Sequence, residues 1–454
     1  MKYIALLLCL MVIHLSKAQE LIHAAGQEIV FNHVNVIPMD RERVLENQAV
    51  VVKGGKIVSV TDAGKANYAS NATIIEARGK YLIPGLAEMH AHVPPIDDME
   101  PMKEVLMLFA ANGITTIRGM LGHPRHLELR SQLQKGEITG PRFYTTGPSF
   151  SGQSVKTADQ AAEMVRKQKE AGYDYLKLHP GLTKETFGAM EKTAKEVGIP
   201  FVGHVSFDVG VWRAIEAGYS SIDHLDGFIE GMVPGIENMT EQQTGLFGMF
   251  VADKADLTQI PKLMKGLKDK NIWVVPTQAL AERWFAPVDP QQLSDAPEMK
   301  YMSAETSNNW LNSKKNLQSN PQYDKAKMEN YIQLRRRLIL ECQKNGVGLL
   351  LGCDAPQIFN VPGFSTHHEL TYMVASGLSP YEALRTGTVN VAKYLNKADQ
   401  TGVIKAGAVS DLVLLNGNPL QDIKQTSNIE GVMIGNQYMN KRYIEATLKK
   451  LVKQ

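Results

Sequence analysis

Short apolar strands alternate with amphipathic helices between residues 81 and 395, and this alternation constrains the fold more than any other feature of the sequence. Eight predicted strands end near His92, Arg118, Thr146, Leu178, His204, His224, Pro276 and Asp354. Helical patterns follow at residues 102–112, 126–135, 158–171, 183–197, 209–217, 260–268, 327–345 and 380–394. A succession of strand–helix units of this kind predicts an α/β fold, the (β/α)8 TIM barrel.

Both ends of the chain have a different pattern, in which short β-rich segments are separated by turns. Residues 19–80 and residues 396–454 each hold too few strands for a stable core of their own. We therefore expect one small β-sandwich composed of both ends, beside a barrel over residues 81–395. The barrel exceeds the usual length because of insertions at residues 227–253 and 279–323, which we interpret as lids of a substrate pocket rather than as surface decoration.

The first 18 residues, MKYIALLLCLMVIHLSKA, have the pattern of a signal peptide. A basic residue, Lys2, precedes an apolar run, and small residues precede Gln19. The pattern predicts cleavage after residue 18 and an exported protein, either periplasmic or secreted. The apolar run is too short to span a bilayer, so we expect no membrane span in the mature chain.

Charge and cysteine content exclude several other classes of protein. The 454 residues contain 49 Lys and Arg against 47 Asp and Glu, for a net charge of +2. A nearly neutral chain gives no reason to expect a nucleic-acid partner. Cys342 and Cys353 are too few for a disulfide scaffold, and the sequence leaves open whether they form a bridge. The oligomeric state is also open.

Side chains of metal-binding types stand at several of the predicted strand ends, which face one common pocket in a barrel. His90 and His92 are two residues apart on one strand, so they point to the same side. Lys177 ends an apolar strand, where burial is costly unless the amine is neutralised, paired or modified. The full set of candidate ligands is His90, His92, Lys177, His204, His224 and Asp354.

Each candidate alone has an ordinary structural alternative, such as a hydrogen-bonded core histidine or a lysine paired with a carboxylate. Their combination is more specific, because imidazole nitrogens and carboxylate oxygens suit Zn²⁺ and similar divalent ions. A lysine with a lowered pKa can also react with CO₂, and the resulting carbamate can bridge two metal ions. His179 is followed by Pro180, so we expect it in a loop rather than among the ligands.

These motifs resemble the amidohydrolase superfamily, and in particular its imidazolonepropionase-like branch, which includes metal-dependent prolidase-like dipeptidases. The resemblance covers nearly all of the mature chain. It rests on LIPGLAEMHAH (82–92), YLKL (175–178), GHV (203–205), IDH (222–224), LGCD (351–354) and TGVIKAGAVSDLVLL (401–415).

The resemblance implies an active site over two metal ions. One ion would be held by His90, His92 and Asp354, and the other by His204 and His224. Lys177, as N6-carboxylysine, would bridge the two ions. Imidazolonepropionase itself lacks a bridging lysine, so Lys177 favours the dipeptidase-like members. Glu88 stands where many relatives have Asp, and Gly119 stands where many have Asp after an arginine, but neither is a ligand position.

The expected chemistry is hydrolysis. Two metal ions can lower the pKa of a shared water from about 15.7 to near 7. Asp354 would take the proton from the attacking hydroxide and deliver it to the leaving nitrogen. Histidines outside the ligand set could contact substrate or stabilise the oxyanion, although helix capping or solvation is an equal alternative. These substrate-binding candidates are His123, His126, His367 and His368.

The sequence therefore predicts a metal-dependent hydrolase of a carbon–nitrogen bond, acting on dipeptides or N-acyl amino acids. Two alternatives stay open. One is a mononuclear hydrolase of cyclic amides, or a deaminase, in which Lys177 is an ordinary buried cation. The other is an exported binding protein without catalytic activity.

Overall fold

The computed structural model of the protein describes residues 21–23 and 26–453. The predicted signal peptide at residues 1–18 lies outside these ranges, so it stays a prediction. Within the described ranges, none of the helices combines the length and apolar character that a membrane span requires.

Strands are numbered here in chain order. They are β1 (Ile22–His23), β2 (Ile29–Val36), β3 (Leu45–Lys53), β4 (Lys56–Asp62), β5 (Thr73–Glu76), β6 (Tyr81–Pro84), β7 (Leu86–Ala91), β8 (Ile114–Gly119), β9 (Arg142–Thr145), β10 (Leu176–Leu178), β11 (Phe201–Gly203), β12 (Ser221–Asp223), β13 (Trp273–Val275), β14 (Leu412–Leu415), β15 (Ile429–Ile434) and β16 (Gln437–Asn440).

The α-helices of the described residues are numbered in the same way. They are α1 (Glu100–Ala111), α2 (Pro124–Lys135), α3 (Ala158–Ala171), α4 (Lys184–Val197), α5 (Gly210–Ala217), α6 (Glu241–Thr244), α7 (Ile260–Asp269), α8 (Gln278–Trp284), α9 (Pro290–Ser294), α10 (Ala304–Gln318), α11 (Lys325–Asn345), α12 (Phe364–Ala375), α13 (Pro380–Thr386), α14 (Val389–Tyr394) and α15 (Lys441–Lys450).

Strands from both ends of the chain form one mixed sheet of nine strands, in the order β1-β16-β15-β14-β6-β2-β3-β4, with β5 beside β2. The two ends meet at β6, which is antiparallel to β14 and parallel to β2. Both ends of the chain therefore pair in one continuous sheet among the described residues, and the arrangement of this composite as a β-sandwich stays a prediction. Residues 81–84 belong to this sheet because β6 joins its two halves.

Two parallel sheets lie between these ends, one formed by β7-β8-β9 and the other by β10-β11-β12-β13. Single parallel bridges continue the pairing: Thr146 pairs with Tyr175, Val274 with Leu349, and Ala91 with Ala355. Residues 349–355, predicted as the eighth strand, take part through such bridges and do not form a regular strand of their own. The architecture is thus α/β, with parallel sheets and a mixed sheet.

Most helices lie where the sequence pattern predicts them, and α13 and α14 divide the predicted helix at 380–394. The division occurs because Thr388 leaves helical geometry, with φ −130° and ψ −94°. The predicted insertion at residues 279–323 is largely helical, because it holds α9, α10 and most of α8, and its role as a lid stays a prediction. The helix α12, which begins at Phe364, has no counterpart among the predicted helices.

Within the described residues, Cys342 and Cys353 are buried and do not form a disulfide with each other. Cys342 lies on the buried face of α11. Cys353 donates its thiol to Glu88 Oε2 at 3.0 Å and its backbone N–H to Glu88 Oε1 at 2.8 Å. The second cysteine therefore helps to join residues 349–355 to β7.

Candidate active site

Four imidazoles come together beyond the carboxyl ends of β7, β11 and β12. The ring centroids of His90 and His92 lie 5.4 Å apart, and those of His90 and His224 lie 4.5 Å apart. His204 and His224 are stacked at 4.4 Å. The strand ends predicted from sequence thus bring their histidines into one group.

Lys177 and Asp354 join this group. The Nζ atom of Lys177 lies 3.4 Å from His90 Nε2. Asp354 Oδ1 lies 2.6 Å from His92 Nε2 and 3.4 Å from His90 Nε2. All six candidate ligands are therefore neighbours, although they are spread over positions 90 to 354 of the sequence.

Two of the imidazoles are oriented by carboxylates. His90 Nδ1 lies 2.8 Å from Asp223 Oδ2, and His204 Nδ1 lies 2.9 Å from Asp226 Oδ2. Burial lowers the pKa of His204 to about 3 and that of His90 well below its usual value. Both rings are therefore neutral, their Nδ1–H groups donate to the carboxylates, and each Nε2 keeps a lone pair for a cation.

His224 provides the sharpest indication of a missing partner. Its Nδ1 lies 2.9 Å from the hydroxyl oxygen of Thr277, while its Nε2 is buried and has no hydrogen-bond partner among the described residues. An unpaired buried nitrogen is costly. One ligand atom each from His90, His224 and Asp354 lie within 4.8 Å of one another, a spacing that suits a metal ion.

A buried arginine fixes the first of these carboxylates. Arg118 is completely buried and donates to both oxygens of Asp223 at 3.3 Å, and to the carbonyl oxygen of Met89 at 2.8 Å. Asp223 is thus held between Arg118 and His90. The sequence motifs assign no role to Asp223 or Asp226, although each carboxylate stands one or two residues from His224.

The pocket needs backbone conformations that most residues avoid. His224 and Asp354 both have φ 65°. Such left-handed geometry costs of order 1–3 kcal/mol in a non-glycine residue and concentrates at functional sites. Gly203 leaves the space that Lys177 occupies, because a Cβ atom there would lie 2.6 Å from Leu178 O and 2.9 Å from Lys177 Cδ.

Lys177 is fully buried, and this burial lowers its pKa to about 8, against the opposing effect of Asp223 and Asp354. A larger fraction of the amine is therefore neutral at pH 7–8 than in an exposed lysine. The neutral amine is the form that reacts with CO₂.

Glu88 connects three of the segments that form the site. It is completely buried, accepts from the backbone N–H of His90 at 3.1 Å and from Thr366 Oγ1 at 2.9 Å, and burial raises its pKa to about 7. Its contacts join β7, residues 349–355 and α12. The carboxyl group of Glu88 therefore helps to hold His90 and Asp354 in position.

His179 lies beside this group of imidazoles. It follows the end of β10, in the loop position that the sequence predicts, and His179 N donates to Phe150 O at 2.8 Å. Its ring stacks on that of His204, with 5.0 Å between centroids. The expectation that His179 is not a ligand stays a prediction.

The four histidines expected near substrate have other contacts. His123 caps α2 by accepting from Arg125 N at 3.3 Å. His126 Nε2 lies 3.1 Å from Pro94 O, and His368 Nε2 lies 3.0 Å from Glu298 Oε1.

His367 is buried, with one ring nitrogen 3.0 Å from Thr426 Oγ1 and the other 3.1 Å from Asn112 O. Both nitrogens are engaged within the protein. Substrate binding by any of the four histidines stays a prediction.

The insertion at residues 227–253 covers the imidazole group. Its Phe247 stacks on His224 at 5.0 Å and on His204 at 5.9 Å, both with an interplanar angle of 16°. Phe247 reaches this position with φ 55°, and Phe285 packs edge-on against it at 6.0 Å. The first insertion thus forms part of the site.

Comparison with known families agrees with this geometry. The family described as "Amidohydrolase family" matches residues 81–438. The chain belongs to the amidohydrolase family. It is therefore a hydrolase that acts on carbon–nitrogen bonds, as the sequence motifs predict.

Relatives of this amidohydrolase are found by sequence and by structure. It is 36% identical to the ochratoxinase of Aspergillus niger over 430 residues, which cover 86% of this chain and 81% of the ochratoxinase. Bottromycin amidohydrolase has a similar structure, with a TM-score of 0.70, 19% identity, and coverage of 93% of this chain and 89% of that chain. A Xaa-Pro dipeptidase with bound methionine has a TM-score of 0.66 and 19% identity, with coverage of 91% and 100%.

Proposed function

We propose that this amidohydrolase binds two divalent metal ions, expected to be Zn²⁺, and cleaves the amide bond of a dipeptide or an N-acyl amino acid. The observation that carries the proposal is the buried, unpartnered Nε2 of His224, which lies in one group with His90 and Asp354. The names of two relatives, an amidohydrolase and a dipeptidase, support the substrate class.

The two parallel sheets and residues 349–355 together would form the closed eight-stranded barrel that the sequence predicts. The bridges Thr146–Tyr175, Val274–Leu349 and Ala91–Ala355 support this closure. The carboxyl ends of the strands would then surround a single pocket.

The donor set fits two ions. His90, His92 and Asp354 would hold one, His204 and His224 the other, and Lys177 as its carbamate would reach both. When bound, such ions activate a water molecule and polarise the scissile carbonyl. Asp223 and Asp226 orient His90 and His204 by accepting from their Nδ1–H groups.

Asp354 is the proton carrier in this proposal. Its carboxylate is largely buried and lies 2.6 Å from His92 Nε2. It takes a proton from the attacking water and delivers it to the amide nitrogen, so the amine leaves as a neutral group. Phe247, which covers His204 and His224, keeps bulk water from this side of the pocket.

Modification of Lys177 needs only CO₂. The neutral amine nitrogen forms a bond to the carbon of CO₂, one N–H proton leaves to solvent, and the product is an anionic carbamate. The lowered pKa of Lys177 supports this step because it increases the reactive form of the amine.

A library of dipeptides and N-acyl amino acids, assayed with and without a chelator, tests the proposed function. We expect about two divalent ions per chain, activity that the chelator removes and Zn²⁺ restores, and loss of both metal and activity in Lys177→Ala. Full activity in the metal-free protein would contradict the proposal.

A mononuclear site is the second candidate, because one ligand atom each from His90, His224 and Asp354 lie within 4.8 Å of one another and form a site for one ion. It would suit hydrolysis of a cyclic amide or a deamination. One ion per chain at full activity, with Lys177→Ala still active, would favour this candidate.

Export rests on residues 1–18 alone. Sequencing of the N-terminus of the protein recovered outside the cytoplasm tests it, and we expect the mature chain to begin at Gln19.

A further inference from the structure

A cavity of about 160 Å³ adjoins the imidazole group on the side of His204. It lies between the chain that follows β11 and the insertion at residues 227–253. Its volume is well above the ~30 Å³ share of one water molecule, so it has room for a substrate group. Phe247 forms one wall of the cavity and stacks on His224, so an occupant would lie beside the proposed reaction centre.

Most of the cavity wall is apolar. The indole N–H of Trp212 is already used, because it donates to Gly231 O at 2.9 Å. Walls of this kind favour methylene groups over polar ones. The apolar lining residues include Val205, Val211, Trp212, Ile236, Leu246 and Phe247.

The charged groups of the lining are all acidic. Asp226, Glu230 and Glu241 line the cavity, and the described lining residues include no lysine or arginine. Asp226 already accepts from His204 and from Val205 N. Glu230 differs, because its Oε2 is buried and has no hydrogen-bond partner among the described residues.

A buried cation nearby does not satisfy Glu230. Arg335 donates to the carbonyl oxygens of His224 at 2.6 Å and of Pro276 at 2.7 Å. Burial and the charge of Asp226 raise the pKa of Glu230, against the opposing effect of Arg335. Among the described lining residues, the buried Oε2 of Glu230 therefore has no positively charged partner.

We propose that this cavity binds a substrate side chain with an apolar stem and a cationic nitrogen at its end, as in lysine or arginine, and that Glu230 selects it. The proposal rests on the proposed function, because the cavity adjoins the site where an amide bond would be cleaved. The stem contacts the apolar wall, and the cationic end donates to Glu230 Oε2. Acidic side chains are disfavoured because the described lining residues include three acidic groups and offer no lysine or arginine as a partner.

The test compares dipeptides and N-acyl amino acids that differ in one side chain: lysine, its uncharged analogue norleucine, and glutamate. At one position of the substrate, we expect kcat/KM for lysine to exceed that for norleucine at least tenfold, with glutamate the poorest. In Glu230→Gln, the lysine-to-norleucine ratio should fall to within threefold of one. An equal ratio in wild type and variant would overturn the proposal and leave the proposed function intact.

Glu237→Gln is the matched control, because Glu237 is exposed on the same insertion and lies outside the cavity lining. It removes the same charge, and the lysine-to-norleucine ratio should stay at the wild-type value. A fall in the ratio equal to that of Glu230→Gln would assign the effect to general charge and overturn the proposal.

Binding gives a readout that does not need turnover. The Zn²⁺-loaded protein should show a larger rise in Tm with N-acetyl-lysine than with N-acetyl-norleucine, and Glu230→Gln should lose this difference. Equal shifts in the wild type would overturn the proposal. If no amide is hydrolysed but the difference in Tm persists, the proposed function fails and the cavity assignment stands.

Discussion

Two regions of this molecule hold their histidines differently. At the ends of the parallel strands, His90 and His204 each direct Nδ1 to a carboxylate, and Nε2 of His90 lies 3.4 Å from both Lys177 Nζ and Asp354 Oδ1. In the helical layer, His367 uses both nitrogens within the protein. The position of the second nitrogen, rather than the residue type, distinguishes a candidate ligand from a structural histidine.

The two regions also differ in the backbone conformation and in the ligand-type side chains near the histidines. The strand ends accumulate features that cost stability, including an unpartnered buried nitrogen on His224 and left-handed backbone at His224 and Asp354. His126 in the helical layer also has an unpartnered buried nitrogen, but within the described residues it belongs to no group of ligand-type side chains. Features that lower the stability of a fold are rarely kept unless they serve a function. Their concentration at the strand ends therefore supports this region as the candidate active site.

The largest expected effect is at Asp354. Asp354→Asn removes the proposed proton carrier and a proposed metal ligand, so kcat/KM should fall at least about a thousandfold, within the range of general acid–base contributions. The matched control is Asp269→Asn, which removes an exposed carboxylate that pairs with Lys265. The control should retain full activity in steady-state assays. Comparable activity in both variants would contradict the assignment of Asp354.

Gly203→Ala should have the second-largest effect on activity. The added methyl group would overlap Leu178 O and displace Lys177, so metal content should fall and kcat/KM should drop about a hundredfold. Gly188→Ala, within α4, adds a methyl group that meets nothing within 4 Å. That control should keep wild-type metal content by elemental analysis. Wild-type metal content in both variants would show that Lys177 has no part in the metal site.

Asp226→Asn should have a smaller effect. Asn still offers an oxygen to Val205 N but loses the charge that orients His204, so metal affinity should fall about tenfold to a hundredfold. Titration against a competing chelator measures this affinity. A variant with unchanged affinity would mean that His204 needs no carboxylate to hold its orientation.

The smallest effect concerns His367 and appears in stability. Burial lowers its pKa to about 4, so between pH 6.5 and pH 4 the unfolded state binds a proton that the folded state does not. His367 therefore destabilises the fold as pH falls through this range. Denaturant unfolding of His367→Gln should show about 1–2 kcal/mol less loss than wild type between pH 7 and pH 5. Equal losses would contradict the buried, neutral state of His367.

Much of the candidate site could be predicted because strand geometry is local. Alternation along β7 places His90 and His92 on one side, and the ends of parallel strands converge. The sequence also predicts the composite of both chain ends, since neither has enough strands alone. What it could not predict is how the two ends pair, because β6 joins them through partners far apart in the chain.

Other features depend on long-range contacts. The N-terminus of α8 is stabilised by Glu369, which accepts from Gln278 N at 2.9 Å although the residues lie 91 positions apart. No local pattern shows such a cap. The orientation of His204 by Asp226 and the cover formed by Phe247 likewise arise from the folded loop. Propensity and periodicity therefore bring the candidate ligands together more readily than they identify the groups that position them.

The most direct test of the central claim is a crystal structure of the Zn²⁺-loaded protein with an anomalous difference map at the zinc edge. We predict two peaks at about 2.0–2.2 Å from ligand atoms, one beside His90, His92 and Asp354 and the other beside His204 and His224, with density for a carboxyl group on Lys177. Absence of zinc from these side chains in an active, fully loaded enzyme would contradict the account.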